Sequence, residues 1–225
     1  MNQFLFGIYP YVAVAILLLA SLIRFDRDQY TWKSDSSQLL RTGRLRWGSN
    51  LFHLGILGIF FGHLFGLLMP LAFWHAVGLS TAGKQMIAIV GGGIAGAACL
   101  AGLLILLYRR LTEPRVRAHS RTMDLAVLYL ILAQVLLGLY SISVSLGHLE
   151  GAVMLKLVNW AQGIATLRPD AASYLADVPW VFKAHIALGL TLFVVSPFSR
   201  LVHVWSGFAS VGYLARAYQI VRARG

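Results

Sequence analysis

The sequence predicts an all-α integral membrane protein with five membrane-spanning helices. Hydrophobic residues make up 58% of the 225-residue chain and charged residues only 12%, about half the charged share of a soluble domain. Five apolar runs are each long enough to cross a hydrocarbon core of about 30 Å. These runs cover residues 4–23, 49–71, 85–108, 124–146 and 178–204. We therefore expect a single helical membrane domain that occupies residues 1–225.

The first run is predicted to be a retained span. Met1–Gln3 contain no basic residue, and no small-residue cleavage site follows the run, whereas a secretory signal peptide would show both features. The last run contains Pro197, which predicts a bend near its end.

The connections predict how the bundle is oriented. The first and third connections hold most of the basic residues, which is typical of loops that stay in the cytoplasm. These residues are Arg24, Arg27, Lys33, Arg41, Arg44 and Arg46, then Arg109, Arg110, Arg115, Arg117 and Arg121. We expect the N-terminus outside and the C-terminus in the cytoplasm. The net charge of +11 reflects this loop pattern, so nucleic acid is not an expected partner.

The fourth connection is long and partly apolar. Between residues 150 and 167, Val153, Leu157, Trp160 and Ile164 recur at helical spacing. This pattern predicts a helix that lies along the outer membrane interface. The only cysteine, Cys99, falls inside an apolar run, which excludes an internal disulfide and a four-cysteine iron–sulfur site.

Four histidines within the apolar runs are the candidate functional residues. His53 and His63 lie on the second run, and His185 and His203 lie on the last. Ionisable residues inside a membrane are costly and usually functional. Two imidazoles, one on each axial face, can hold a haem iron. The ten- and eighteen-residue separations are too wide for one zinc or copper ion to gather all four rings. His75, His119 and His148 fall in connections, where a solvated histidine is the default interpretation.

The opposite directions of the two runs predict which histidines pair. His53 and His203 belong to the cytoplasmic side, and His63 and His185 belong to the outer side. On straight helices the two spacings differ by about 12 Å along the axis, which tilt or a bend at Pro197 would have to absorb. Glycines 55, 58, 62 and 66 form a stripe beside His53 and His63, and Gly189 follows His185 by one turn. They indicate either space for a flat macrocycle or close helix packing.

The segments SNLFHLGILGIFFGHLFG (residues 49–66) and PFSRLVHVW (residues 197–205) resemble the membrane cytochrome b, or gamma subunit, of respiratory nitrate reductase. The segments IYPYVA, QYTW, EPRVRA and YQIVRAR fit the same family in order and spacing. The resemblance implies two b haems in a bacterial cytoplasmic membrane. It assigns His53 and His203 to the haem near the cytoplasm, and His63 and His185 to the haem near the outer face.

The resemblance further implies that quinol is oxidised near the outer haem. Electrons would then pass to an iron–sulfur beta subunit and a molybdenum-cofactor alpha subunit on the cytoplasmic side. Lys84, the only basic residue of the second connection, and Gly62 are our candidate quinol contacts, although Lys84 also fits an interfacial lysine that reaches water. Arg110 and Arg200 are candidate partners of haem propionates.

Two alternatives remain open at this level. The chain could be a di-haem, quinone-linked cytochrome b of another complex that oxidises or reduces a sulfur compound or formate. It could also be a non-redox membrane protein such as a transporter. The transporter hypothesis is the weaker one, because no acidic residue lies near the middle of an apolar run, and proton-coupled carriers usually need such a residue.

Overall fold

The computed structural model describes residues 1–28 and 43–205, and these residues form helices and turns without a β-strand. Five of the helices in this part are long and apolar enough to cross a membrane, which confirms the predicted fold class. The eight α-helices are α1 (Tyr9–Arg27), α2 (Gly43–Leu68), α3 (Leu71–Ala76), α4 (Thr81–Thr112), α5 (Pro114–Ala118), α6 (Thr122–Ser145), α7 (Ala152–Ala165) and α8 (Trp180–Val195). A π-helical turn, Phe4–Ile8, precedes α1.

Most span boundaries differ from the prediction by a few residues, and two of the differences have a visible structural cause. The third span begins at Thr81 instead of residue 85, because Ser80 caps α4 by accepting a hydrogen bond from the Gly83 amide at 3.1 Å. The last span ends at Phe198 instead of residue 204. Pro197 has no amide hydrogen for a helical bond, and Ser199 is extended, with φ −124° and ψ −178°. Two short 3-10 turns, Ser196–Phe198 and Arg200–Val202, replace the last turns of the predicted helix.

The long helices pack in a defined order. Helix α4 lies between α2 and α6, α6 also packs against α8, and α8 packs against α1. The contact between α2 and α4 depends on glycine, because a Cβ at Gly55 would overlap the Cys99 backbone and one at Gly102 would overlap the Phe52 backbone. Small residues that let two helix backbones approach are typical of membrane bundles. Cys99 is fully buried in this contact.

The end of the bundle opposite Arg24 carries a small cap, which we call the outer cap and define as residues 146–179. Its helix α7 confirms the helix predicted in the fourth connection, and Trp160 packs with Phe6, Leu175 and Val181 in one buried cluster. Trp160 Nε1 donates to the Phe6 carbonyl at 2.8 Å. Pro10 lies four residues after Phe6 and has no amide hydrogen to satisfy that carbonyl. The outer cap therefore holds the start of the first span against the bundle.

Candidate functional site

The four candidate histidines form two pairs, each between α2 and the part of the chain that comprises α8 and the turns after it. The ring centroids of His53 and His203 lie 6.4 Å apart, and those of His63 and His185 lie 6.0 Å apart. We call the first the inner pair and the second the outer pair, after the predicted orientation. The structure thus brings together the same partners that the opposite helix directions predict.

The spacing within each pair fits one metal ion between two rings. An imidazole nitrogen binds a transition metal at about 2 Å, and the ring centre lies about 1 Å further away, so two rings on one ion have centres about 6 Å apart. Both measured separations agree with this value. Within residues 1–28 and 43–205, no group of three or more His, Cys, Asp or Glu side chains could hold a metal ion. Each pair therefore offers two imidazole rings, a number that suits a haem iron held by two protein ligands.

Three of the four rings are oriented by a backbone carbonyl. Nδ1 of His53 lies 2.7 Å from the Ser49 carbonyl oxygen, Nδ1 of His63 lies 2.8 Å from that of Ile59, and Nδ1 of His203 lies 2.6 Å from that of Arg200. A carbonyl only accepts, so Nδ1 carries the hydrogen and Nε2 keeps its lone pair. This arrangement is typical of metal-ligating histidines.

His203 lies beyond the last span, and burial lowers its pKa, since desolvation disfavours the charged form. The hydrogen bond to the Arg200 carbonyl opposes this effect without reversing it. The ring is therefore neutral at pH 7, which is the form that binds a metal.

His185 is held differently. Its Nδ1 is buried with no hydrogen-bond partner among the described residues, and its Nε2 lies 3.4 Å from Nε2 of Gln134 on α6. Gly138, one turn along α6, leaves room for the ring, because a Cβ there would lie 3.0 Å from Cε1 of His185. Gly189 leaves room for the Gln134 amide in the same way, because a Cβ at Gly189 would lie 3.1 Å from Nε2 of Gln134. Helix α6 therefore shapes the pocket of the outer pair.

The break after α8 accounts for the difference in histidine spacing. On straight helices His185 and His203 would be about 27 Å apart along the axis, against about 15 Å for His53 and His63. The regular helix stops at Val195, and the chain turns at the extended residue Ser199 before it reaches His203. His203 consequently meets His53 although the two pairs of histidines are unequally spaced in the sequence.

The glycine stripe on α2 has two functions along its length. Gly55 and Gly58 face α4, where their missing side chains allow close packing with Cys99 and Ala95. A Cβ built at Gly62 or Gly66 would meet nothing within 4 Å. The packing interpretation therefore holds for one half of the stripe, and the half around His63 keeps the space that a flat macrocycle would need.

Known proteins resemble this chain along its whole length. A sequence profile described as nitrate reductase gamma subunit matches residues 2–224. The chain belongs to the nitrate reductase gamma subunit family. The respiratory nitrate reductase 1 and 2 gamma chains of Escherichia coli (strain K12) are 47% and 49% identical, and each alignment covers 100% of this chain and 98% of the relative. The nitrate reductase gamma chain of Bacillus subtilis (strain 168) is 37% identical over 99% of both chains. The resemblance carried by the histidine segments is thereby confirmed.

The sequence suggested that Lys84 lies in the second connection of this gamma-subunit family member, but the structure places it on a helix. It occupies the first turn of α4 with only 4% of its surface exposed. Its Nζ has no hydrogen-bond partner among the described residues and lies 5.4 Å from the centre of the Trp74 ring. The interpretation as a lysine that reaches water is therefore wrong. Nε1 of Trp74 on α3 is also buried without a hydrogen-bond partner among the described residues. The sequence contains no signal for this role, because Trp74 is one apolar residue among many there.

The two arginines suggested for propionates lie near the inner end of the bundle. Arg110 forms a buried ion pair with Asp124, at 3.0 Å between Nη1 and Oδ2. This pair joins the end of α4 to the start of α6. Arg200 belongs to the 3-10 turn before His203, and its carbonyl orients that ring. Of the other histidines, His75 and His119 are exposed and His148 is half-buried.

Proposed function

We propose that this chain is the membrane cytochrome b subunit of a respiratory nitrate reductase, which oxidises quinol at the outer end and passes electrons inward. The observation that carries the proposal is the presence of two dihistidine sites, each spaced for one iron. One links α2 to α8, and the other links α2 to the turns after α8. Membership of the nitrate reductase gamma subunit family supports the choice of complex.

Four side chains would hold two b haems. His53 and His203 would bind the inner iron, and His63 and His185 the outer iron. For His53, His63 and His203 the ligating nitrogen would be Nε2, because their Nδ1 atoms are held by backbone carbonyls. When bound, the two haems supply a path for single electrons between the ends of the bundle. The carbonyls of Ser49, Ile59 and Arg200 fix three rings so that little reorganisation is needed on binding.

The outer end supplies the quinol contacts. The Lys84 ammonium is buried without a partner in the described part of the chain, and such a donor is costly unless a ligand accepts from it. We propose that it donates to a ring oxygen of quinol, with Gly62 leaving space beside His63 and Trp74 bordering the site. Protons lost from quinol leave at this end, whereas electrons move inward, so oxidation separates charge across the membrane.

The inner end faces the soluble partners. The relatives are named as gamma chains of nitrate reductase, which favours a complex with an iron–sulfur beta subunit and a molybdenum-cofactor alpha subunit in the cytoplasm. Arg110 and Arg200 lie at the end where propionates of the inner haem would project, and basic loops there suit a docking surface. The basic tail, residues 213–225, is a further candidate for this contact and falls outside the described residues. The membrane is then the bacterial cytoplasmic membrane.

The proposal is tested by quinol-driven reduction of b-type haem in anaerobic membranes that contain the whole complex. A quinol analogue should reduce two b haems in the wild-type chain. His53→Ala or His203→Ala should remove one haem and stop nitrate-linked turnover, while quinol still reduces the other. His63→Ala or His185→Ala should remove the other haem and abolish quinol-driven reduction. Retention of both haems by any of these variants would contradict that ligand assignment.

A further inference from the structure

His203, the proposed inner ligand, lies on a stretch of chain that is not part of a regular α-helix, so helical hydrogen bonds do not fix its backbone. Helix α8 ends at Val195, and the two 3-10 turns that follow are separated by the extended residue Ser199. A break of this kind leaves backbone carbonyls without helical partners, which is costly in or near a membrane unless another group satisfies them. The position of His203 therefore depends on what binds those carbonyls.

A side chain from α1 binds two of them. Nη1 of Arg24 donates to the Pro197 carbonyl at 2.6 Å and to the Ser199 carbonyl at 2.9 Å. These oxygens lie on either side of Phe198, before the turn that leads to His203. Hydrogen bonds from a guanidinium are about twice as strong as those between neutral groups. Arg24 therefore fixes the bend through the backbone of two residues.

A second contact from α1 lies on the other side of His203. Nε1 of Trp205 donates to Oγ of Ser21 at 3.2 Å, and Ser21 is only 5% exposed. Ser21 and Arg24 are three residues apart and so share one face of α1. Helix α1, which contains no histidine, thus holds the chain both before and after the inner ligand.

The orientation of the ring is coupled to this bend. Nδ1 of His203 donates to the Arg200 carbonyl at 2.6 Å, and Arg200 directly follows the residue whose carbonyl Arg24 binds. We propose that Arg24 is a positioning residue for His203, and that α1 contributes to the inner haem site through it. The inference rests on the proposed function, because it concerns the ligand of a haem.

The test compares Arg24→Met with Arg27→Met in the purified complex. Both substitutions remove one positive charge from the last turns of α1, but Arg27 is exposed, so it controls for charge and topology. Haem content, the EPR spectrum of the ferric haems and the midpoint potential of each haem are measured. The ring planes of the inner and outer pairs differ in angle, 74° against 36°, so the two haems should give separate EPR signals.

We expect Arg24→Met to weaken retention of the inner haem by about tenfold, the scale typical of residues that orient a metal ligand. The inner EPR signal and potential should shift, while the outer haem is unchanged. Arg27→Met should match the wild type. Arg24→Lys keeps a charged donor on a shorter reach, so it should retain the inner haem but with a smaller shift of its signal and potential. That shift is the test if Arg24→Met fails to accumulate.

Three results would decide against this role of Arg24. In the first, Arg24→Met matches the wild type in content, spectrum and potential, or Arg24→Lys does so where Arg24→Met does not accumulate. In the second, both haems are lost equally in Arg24→Met. In the third, Arg27→Met has the same effect as Arg24→Met. A wild-type complex without two b haems would instead contradict the proposed function itself, so the two failures are distinguishable.

Discussion

At the scale of single residues, the sequence predicted the four histidines that pair but not what orients them. The residue types and the apolar surroundings of His53, His63, His185 and His203 are visible in the sequence. The hydrogen bonds of their Nδ1 atoms are not, because each depends on the local backbone. Gln134, Gly138 and Arg24 carry no signal of their own, since their roles arise only from the packing of distant helices.

Gly138→Ala should displace the ring of His185. The added Cβ would lie 3.0 Å from Cε1, tighter than an ordinary contact, and the ring can yield only by leaving its position opposite His63. We expect a shifted EPR signal and reduced retention of the outer haem, with the inner haem unaffected. Gly92→Ala is the control, because its Cβ would make only an ordinary contact of 3.7 Å with Ile142. An unchanged outer signal in Gly138→Ala would show that the ring has more freedom than its surroundings indicate.

Lys84→Met should impair quinol oxidation without loss of haem. The substitution keeps a flexible apolar stem of similar length and removes the buried donor beside Trp74. Hydrogen bonds to charged groups contribute about 1.5–3 kcal/mol, so kcat/KM for quinol should fall by about 10- to 100-fold. Lys156→Met in the outer cap, whose ion pair with Asp177 is exposed and 4.0 Å long, should have no effect. Steady-state kinetics with a soluble quinol analogue would contradict the assignment if Lys84→Met retained wild-type kcat/KM.

At the scale of the helices, the termini were harder to predict than the spans. Apolar length located all five, yet α4 begins four residues before the predicted start and the last span ends six residues before the predicted end. Side chains from other elements complete several helix ends. Nε2 of Gln162 donates to the carbonyls of Leu67 and Met69 at the end of α2. Nε2 of Gln85 donates to those of Ser145 and His148 at the end of α6. Such long-range caps leave no local pattern in the sequence.

The two halves of the glycine stripe on α2 should respond differently to a methyl group. Gly55→Ala forces α2 and α4 apart, because the new Cβ would overlap the Cys99 backbone. Overpacking of this kind typically costs about 1–3 kcal/mol, and we expect a lower Tm of the detergent-solubilised haem-free chain. The Cβ that Gly62→Ala adds would meet nothing within 4 Å, so this substitution should leave the Tm of the haem-free chain unchanged. Equal losses of Tm in the two variants would contradict the division of the stripe.

At the scale of the whole molecule, one pair of helices links the two ends of the bundle. Helix α2 and the last span run in opposite directions, so the sequence predicted which histidines meet. It could not predict how the unequal spacings are reconciled, because Pro197 indicates a bend but not its direction. The path of the chain through Ser199 is determined by contacts with α1, about 175 residues earlier in the sequence.

The orientation predicted from charge can be tested by surface labelling of intact cells. Leu167 is 74% exposed at the outer cap, and Arg117 is exposed at the opposite end. The native Cys99 is fully buried and should stay unlabelled. A membrane-impermeant maleimide should therefore label Leu167→Cys and spare Arg117→Cys until the cells are opened. The reverse pattern would invert the topology and the direction of charge separation.

The haem-to-polypeptide ratio of the purified complex, measured as the pyridine haemochrome, tests the central claim most directly. Two dihistidine sites of the observed spacing predict two b haems for each copy of this chain. A ratio near two that falls to near one in both His53→Ala and His63→Ala would agree with the account. A colourless chain from haem-replete cells, or a ratio unchanged by these substitutions, would contradict it.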